Sequence, residues 1–290
     1  MKKVLFVLAA IAALSLVSCK KSGEGEKVDP TGGVKVAADN LVLYLSFDNE
    51  DVQVGKDVSF TKKAGTASLG KGARGKAYTN TGASTASEAY FEYALGAENP
   101  FKTLSDFTVS CWVKCPIYVE NTPGTGAFLS LNGGDSTMGS FVMLRESWAG
   151  ESLPMKCYFY DNGAAEWKGH DFALQNEAFE IDNWFLFAWS YEAATSKMYF
   201  WANGVLIGDS VRYGGPQPTE GEQPLLGALK LKGDETKLYI GGWATGIEKT
   251  TSQDWMGFYP GSLDELRVFN KALSEEEMLA LFTAEAGNLD

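Results

Sequence analysis

The chain has 290 residues, of which 45% are hydrophobic and 13% aromatic, enough for one large domain with an extensive core. It carries 37 acidic against 25 basic residues, a formal net charge of −12. That balance argues against nucleic acid and against adhesion to anionic lipid, while it tolerates neutral ligands or divalent cations.

At the start of the chain, Lys2 and Lys3 precede a run from Val4 to Val17 that is apolar apart from Ser15. The run is shorter than the ~20 residues that span a bilayer and suits the core of a signal peptide. It closes on Leu16-Val17-Ser18-Cys19, which resembles the lipobox of bacterial lipoproteins. The resemblance implies that 1–18 is a signal peptide cleaved before Cys19, with diacylglycerol on the Cys19 thiol and an acylated new amino terminus. At ~0.8 kcal/mol per buried methylene, two or more acyl chains anchor stably. Inner-membrane retention resembles an Asp after the cysteine; Lys20 stands there instead, so the outer membrane is expected, its periplasmic and surface faces both open.

The stretch Lys20 to Asp39, KKSGEGEKVDPTGGVKVAAD, is rich in Gly, Lys and Glu and has no apolar period. Residues 19–39 are therefore expected to be the lipidated cysteine and a flexible tether, ahead of one domain spanning 40–290. No second apolar run approaches membrane-spanning length, which leaves Cys19 as the expected attachment.

Strand signals dominate from Leu41 onward. Leu41, Leu43, Leu45 and Phe47 alternate with Val42, Tyr44 and Ser46, and Phe107, Val109, Cys111 and Val113 alternate with Thr108, Ser110, Trp112 and Lys114. Further strands are predicted at 76–79, 89–93, 127–131, 139–145, 154–160, 184–191, 197–202, 205–211, 237–241 and 261–269. Asn203-Gly204 is a type I′ hairpin signal between two of them. One helix closes the chain: Ser274 and Glu277 form a capping box, and Met278, Leu279, Leu281 and Phe282 supply its apolar stripe. With no βα alternation, these elements predict an all-β jelly-roll sandwich of two antiparallel sheets with one short C-terminal helix.

Three cysteines fall in the folded part. Cys111 and Cys115 lie ~13 Å apart along one strand, beyond the ~7 Å between Cα atoms that a disulfide bridges. Either can meet Cys157, at least one of the three is left out of such a pair, and small buried apolar residues are the plainer reading of all three.

Several segments together resemble the laminin-G-like, concanavalin-A-like jelly rolls. The segment Phe107 to Lys114 is similar to their "FTvsaWvk" strand, Leu43 to Asp48 to their opening strand, and Gly72-Ala73-Arg74-Gly75-Lys76-Ala77 to their "GxxGkA" segment. Trp184 to Tyr191 is similar to "WhhvAvtY", Phe200 to Gly204 to "lYvNG", and Gly261 to Ser274 to the closing "GxiDEvriynraLs" signature. Their order from about Leu41 to Phe282 implies the fold. The function is left open, because the fold hosts lectins, hydrolases and adhesion modules.

Alternation places Asp264 on the face of Leu266 and Val268, between the sheets, where a carboxylate is costly unless bonded or metal-bound. The resemblance implies a structural calcium site using Asp264 and the region of Asp48; the alternative is an aspartate bonded to the backbone amides of a neighbouring turn. Catalysis lacks support. Glu180-Ile181-Asp182-Asn183-Trp184-Phe185 fails the glucanase-like ExDxxE pattern at its last position, and Glu275-Glu276-Glu277 complements a helix dipole. His170 reads as a solvated loop residue without a Ser or Cys nucleophile beside it.

Trp148, Trp167, Trp243 and Trp255 occupy Gly-rich or polar segments, where an exposed ring can stack on a sugar face. The alternative is that each lids the core under its own loop. Counting strands puts loops 161–183 and 242–258 at one end, so Trp167, Trp243 and Trp255 are the expected carbohydrate-binding residues. The sequence therefore predicts a non-catalytic, glycan-binding lipoprotein that takes a polysaccharide or glycan. A protein-interaction lipoprotein is favoured instead if those rings prove buried, and a diverged glycoside hydrolase if two carboxylates face each other across a cleft.

Overall fold

The computed structural model describes residues 31–82, 86–115, 125–134, 139–145, 152–161, 166–175, 182–211, 227–250, 256–287 and 289. Sixteen strands and two α-helices run along them, with short 3-10 turns at Ala38–Asn40 and Pro100–Thr103. The strands are β1 (Leu41–Leu45), β2 (Val58–Gly65), β3 (Ala67–Lys71), β4 (Lys76–Asn80), β5 (Ala89–Leu95), β6 (Phe107–Lys114), β7 (Thr125–Leu131) and β8 (Phe141–Arg145). They continue with β9 (Ser152–Asp161), β10 (Glu166–Gln175), β11 (Trp184–Glu192), β12 (Lys197–Ala202), β13 (Val205–Val211), β14 (Lys237–Ile240), β15 (Met256–Phe258) and β16 (Ser262–Phe269). The helices are α1 (Ala244–Glu248) and α2 (Glu275–Ala286).

The first sheet has the order β13-β12-β11-β6-β16-β4-β3, with β1 also on β16. The second has the order β10-β9-β8-β7-β14-β5-β2, with β15 on β7. Every pairing is antiparallel except the three-residue β15–β7 contact. The result is the expected two-sheet sandwich with its C-terminal helix; the single turn of α1 is an addition.

Alternation builds most of the core as predicted, although a register shift in β1 turns Leu41 to the outer face. Leu43, Leu45 and Phe47 join Phe107, Val109, Cys111 and Val113 between the sheets, facing Phe91, Tyr93, Phe141, Met143 and Phe159 of the second sheet. At Asn203-Gly204 both residues have positive φ, as a type I′ turn requires. The α2 capping box forms in both directions between Ser274 and Glu277. Its stripe is narrower than expected: Met278 and Leu281 are buried, whereas Leu279 is 52% exposed.

Both outer faces of the sandwich are partly covered. On the first sheet, α2 and the segment from Thr31 pack over Trp112, Leu186, Ala188 and Trp201, with Val34, Met278 and Leu281 in one buried cluster. Val34 is 4% exposed, so the fold begins inside the segment expected to be tether and not at Asn40. On the second sheet, the stretch from Gly242 through α1 covers the centre. Among the described residues no helix is long and apolar enough to cross a membrane.

Candidate functional site

The junction around Asp264 follows from a bulge. Leu263 pairs with Val113 and Asp264 with Trp112, but Arg267 pairs with Ser110, so one extra residue enters β16. Glu265 absorbs it at φ +52. Leu263 and Leu266 therefore both reach the core, and Asp264 is paired on the side of Trp112, not between the sheets as alternation predicts.

Asp264 Oδ2 accepts from the Arg74 amide at 2.9 Å and Oδ1 from the Glu265 amide at 2.8 Å. Asp48 Oδ1 accepts from the Lys76 amide at 3.0 Å. Both carboxylates thus grip the β3–β4 turn, and its glycines permit it: a Cβ on Gly72 would sit 2.5 Å from Asp264 Oδ2, and one on Gly75 2.0 Å from Asp48 Oδ1. Burial, with the neighbouring Glu265 and Asp48 charges, pushes the Asp264 carboxyl up to about 9 against the pull of its two amide bonds. Among the described residues no three acidic, His or Cys side chains gather to hold a metal. The two amide bonds match the alternative expected for Asp264, a buried carboxyl held by the backbone of a neighbouring turn.

Beside it lies a closed ionic cluster. Arg267, fully buried, pairs with Glu265 at 2.7 Å and with Glu285 of α2, and its guanidinium lies 4.1 Å from the centre of the Tyr44 ring. Trp112 Nε1 donates to Glu285 at 2.7 Å, and Tyr44 and Arg74 donate to Glu265 at 2.8 and 3.2 Å. Arg74 and Arg267 also donate to the carbonyls of Gly32 and Thr31, fastening the first described residues. These carboxylates are sealed from substrate; they clamp both chain ends.

The outer face of the second sheet is different. Register places Lys62, Glu92, Tyr239, Ser130, Val142, Tyr158 and Gly169 in one row across seven strands. At its centre Ser130 Oγ donates to the Gly242 carbonyl at 2.7 Å and accepts from the Ala244 amide at 2.9 Å, seating α1 on the sheet. Trp243, 2% exposed, packs on Ala127, Val142 and Leu144, with Tyr158 and Met256 at the edge. It lids the outer face and offers no ring to a sugar, which corrects its expected carbohydrate-binding role.

The β2–β5 end of the row is polar and open. Lys62 lies 3.5 Å from Glu92 and 5.4 Å over the Tyr90 ring; Lys237 lies 4.0 Å from Glu92 and 3.5 Å from Glu248 of α1. Glu248 Oε1 also accepts from Tyr239 at 2.9 Å and Asn132 at 3.1 Å, and Thr61 donates to Glu92 at 3.2 Å. The Lys62 and Lys237 side chains are about half exposed, whereas Glu92 is nearly buried. Tyr90 stacks on half-buried Phe258 at 6.2 Å. Carboxylates and half-exposed ammonium groups thus converge on one strip, with Tyr90 and Asn132 buried beside them. Sequence reasoning missed these residues, although Glu92, a lone acid within Ala-Tyr-Phe-Glu-Tyr-Ala-Leu, was a signal.

Residue 167 is not in a loop: Trp167 belongs to edge strand β10, with its backbone paired opposite Tyr160, and His170, also expected in a loop, is paired opposite Cys157. The extra strand reverses the parity used to place the loops. Trp255, Trp148 and Cys19 lie outside the described residues. Cys111, Cys115 and Cys157 are buried and form no disulfide, which removes the expected alternative of a pair with Cys157.

No protein-family model matches the chain. No curated protein sequence matches it. The fold, however, is similar to solved binding domains of botulinum neurotoxins. The serotype D/C binding domain superposes with a TM-score of 0.56 at 14% identity, covering 86% of this chain and 53% of that one. The DC binding domain in complex with SialylT gives 0.55 at 13%, covering 86% and 52%. The same domain in complex with rat synaptotagmin II gives 0.54 at 13%, covering 87% and 52%. The chain spans about half the length of these structures. At such identity the likeness defines the class of fold, a β-sandwich of the kind found in those binding domains.

Proposed function

We propose that this chain is a non-catalytic, lipid-anchored binding protein of the bacterial outer membrane, and that the polar strip on the outer face of the second sheet takes a glycan. One observation carries the reading: Lys62, Glu92, Lys237, Glu248 and Asn132 converge beside Tyr90 and Phe258 on the open end of an otherwise covered face. Hydroxyl-rich ligands need donors and acceptors in alternation, and half-exposed Lys62 and Lys237 beside part-buried Glu248 supply them, with part-buried Phe258 as the ring within reach. The SialylT complex of a similarly folded domain supports a sialyl-type or related ligand class. The anchor rests on Leu16-Val17-Ser18-Cys19 and the outer-membrane assignment on Lys20.

A glycan array probed with residues 31–290 tests the reading. Retention of one glycan class, lost in Glu92→Gln, supports it; an array blank with folded protein contradicts it. A protein-binding role is the second reading, favoured by the burial of Trp243 and by the synaptotagmin II complex of a similar fold.

A further inference from the structure

We propose that Met256 is the oxidation site of the folded protein: a peroxide converts its thioether to the sulfoxide, which unseats α1 and withdraws Glu248 from the polar strip. The modification itself stands apart from the glycan reading, whereas its consequence for ligand binding rests on that reading. The first observation is exposure. Among the described residues eight carry sulfur, and Cys111, Cys115, Cys157, Met143, Met155, Met198 and Met278 are all buried. Of the eight, only Met256 is reached by solvent. Burial also pushes the Cys111 and Cys115 thiols up, Cys115 to about 11, so neither offers the thiolate that reacts with peroxide. A thioether has no proton to lose, so access decides which methionine reacts first.

The second observation is what rests on that sulfur. Thr245 of α1 donates its hydroxyl to Met256 Sδ at 3.3 Å. Gly246 stands against the same side chain, where a Cβ would lie 3.4 Å from the Met256 Cβ. Met256 also packs at the edge of the buried Trp243 cluster. One thioether therefore floors both α1 and the ring that precedes it. Oxidation forms a sulfur–oxygen bond as the peroxide O–O bond breaks; sulfur loses two electrons, and hydrogen peroxide leaves as water. The product is larger and polar, with a strong acceptor oxygen that an apolar cluster does not satisfy. That oxygen turns toward solvent, Thr245 follows it, and the single turn of α1 moves with Thr245. Glu248, at the end of that turn, then loses its bonds to Tyr239 and Asn132 and its pairing with Lys237. A change at one sulfur thus reaches the strip through a helix of 5 residues.

Limited hydrogen peroxide treatment of the full chain, with each methionine quantified by mass spectrometry, tests the site. Met256 is expected to become the sulfoxide several-fold faster than Met143, Met155, Met198 and Met278, a difference that vanishes in urea. Equal rates in the folded chain overturn the assignment. Hydrogen exchange reads the consequence. Oxidation is expected to speed exchange of the 244–248 amides several-fold, with β6 and β11 unchanged, and methionine sulfoxide reductases to restore the slow rate. Met256→Leu keeps the volume without an oxidisable sulfur, so its exchange over 244–248 should not respond to peroxide. Faster exchange in treated Met256→Leu, or unchanged exchange in wild type fully oxidised at Met256, overturns the coupling to α1. Neither measurement uses a ligand, so a blank glycan array overturns the glycan reading and leaves both results standing. A glycan retained on the array by wild type should be lost on oxidation of wild type and kept by treated Met256→Leu; its retention by fully oxidised wild type overturns the link to binding alone.

Discussion

Two rows of directly paired residues cross the outer faces of the sandwich, and they are built in opposite ways. On the first sheet the row runs Leu206, Trp201, Ala188, Ser110, Arg267, Tyr44. Small residues at its middle leave room for α2, and its charged end is sealed under the Thr31–Val34 segment, with Arg267 paired to two carboxylates and set over a tyrosine face. On the second sheet the row runs from Lys62 and Glu92 through Tyr239 and Ser130 to Val142 and Tyr158. There the short α1 seals the middle and leaves the charged end open. Buried charge on one face is committed to holding the chain ends; on the other, the half-exposed ammonium groups of Lys62 and Lys237 are free to exchange their partners for a ligand. Charge therefore marks a binding face only where solvent reaches it.

The comparison breaks most sharply at Arg267. Arg267→Ala leaves Glu265 and Glu285 buried without their cation and is expected to cost about 3–5 kcal/mol, toward the upper end because two carboxylates lose one partner. Urea unfolding measures it, and a loss below about 1 kcal/mol would mean that the cluster is not the clamp described.

Trp243→Ala comes next, at about 3 kcal/mol, the lower end for a large buried ring because half-buried Tyr158 and Met256 can close part of the space. It should also loosen the seat of α1 and with it Glu248. Trp243→Ala protein with an unchanged melting temperature but no ligand binding would restore the ring to the binding role first expected of it.

A smaller effect belongs to Asp264. Its carboxyl rises from 3.8 to about 9 on folding, so the folded state holds a proton that the unfolded chain releases, and stability from this group falls as pH climbs through that window. Asp264→Asn should flatten that part of the pH–stability curve while keeping an acceptor for the turn. Chelation should leave the melting temperature unchanged; a drop in wild type that Asp264→Asn abolishes would instead support calcium.

Much of this architecture was legible in the sequence. Alternation in β1 and β6, the Asn203-Gly204 turn and the Ser274–Glu277 box each follow from local chemistry that the fold does not override. Three of the four missed strands share a cause, β15 being a three-residue parallel contact. β2, with Lys62, Lys63 and Gly65, β3, with Gly70, and β10, with charged residues and Gly169, are edge or near-edge strands. Such strands carry charge and glycine on both faces, which erases the period-2 signal. The bulge at Glu265 did leave a trace, since Leu263 and Leu266 stand three apart and not two. The polar strip was not readable because its members come from β2, β5, β14, α1, β15 and the end of β7, and only register brings Lys62, Glu92 and Tyr239 side by side.

The most direct test of the open face is the affinity of the folded domain for the glycan that an array identifies, measured by calorimetry for wild type and Glu92→Gln. The substitution keeps the shape and the Thr61 bond but removes the charge between Lys62 and Lys237. Loss of a charge-assisted hydrogen bond of about 1.5–3 kcal/mol predicts roughly tenfold weaker binding or more, with the melting temperature nearly unchanged. Equal affinity in the two proteins would contradict the assignment of the ligand to this face.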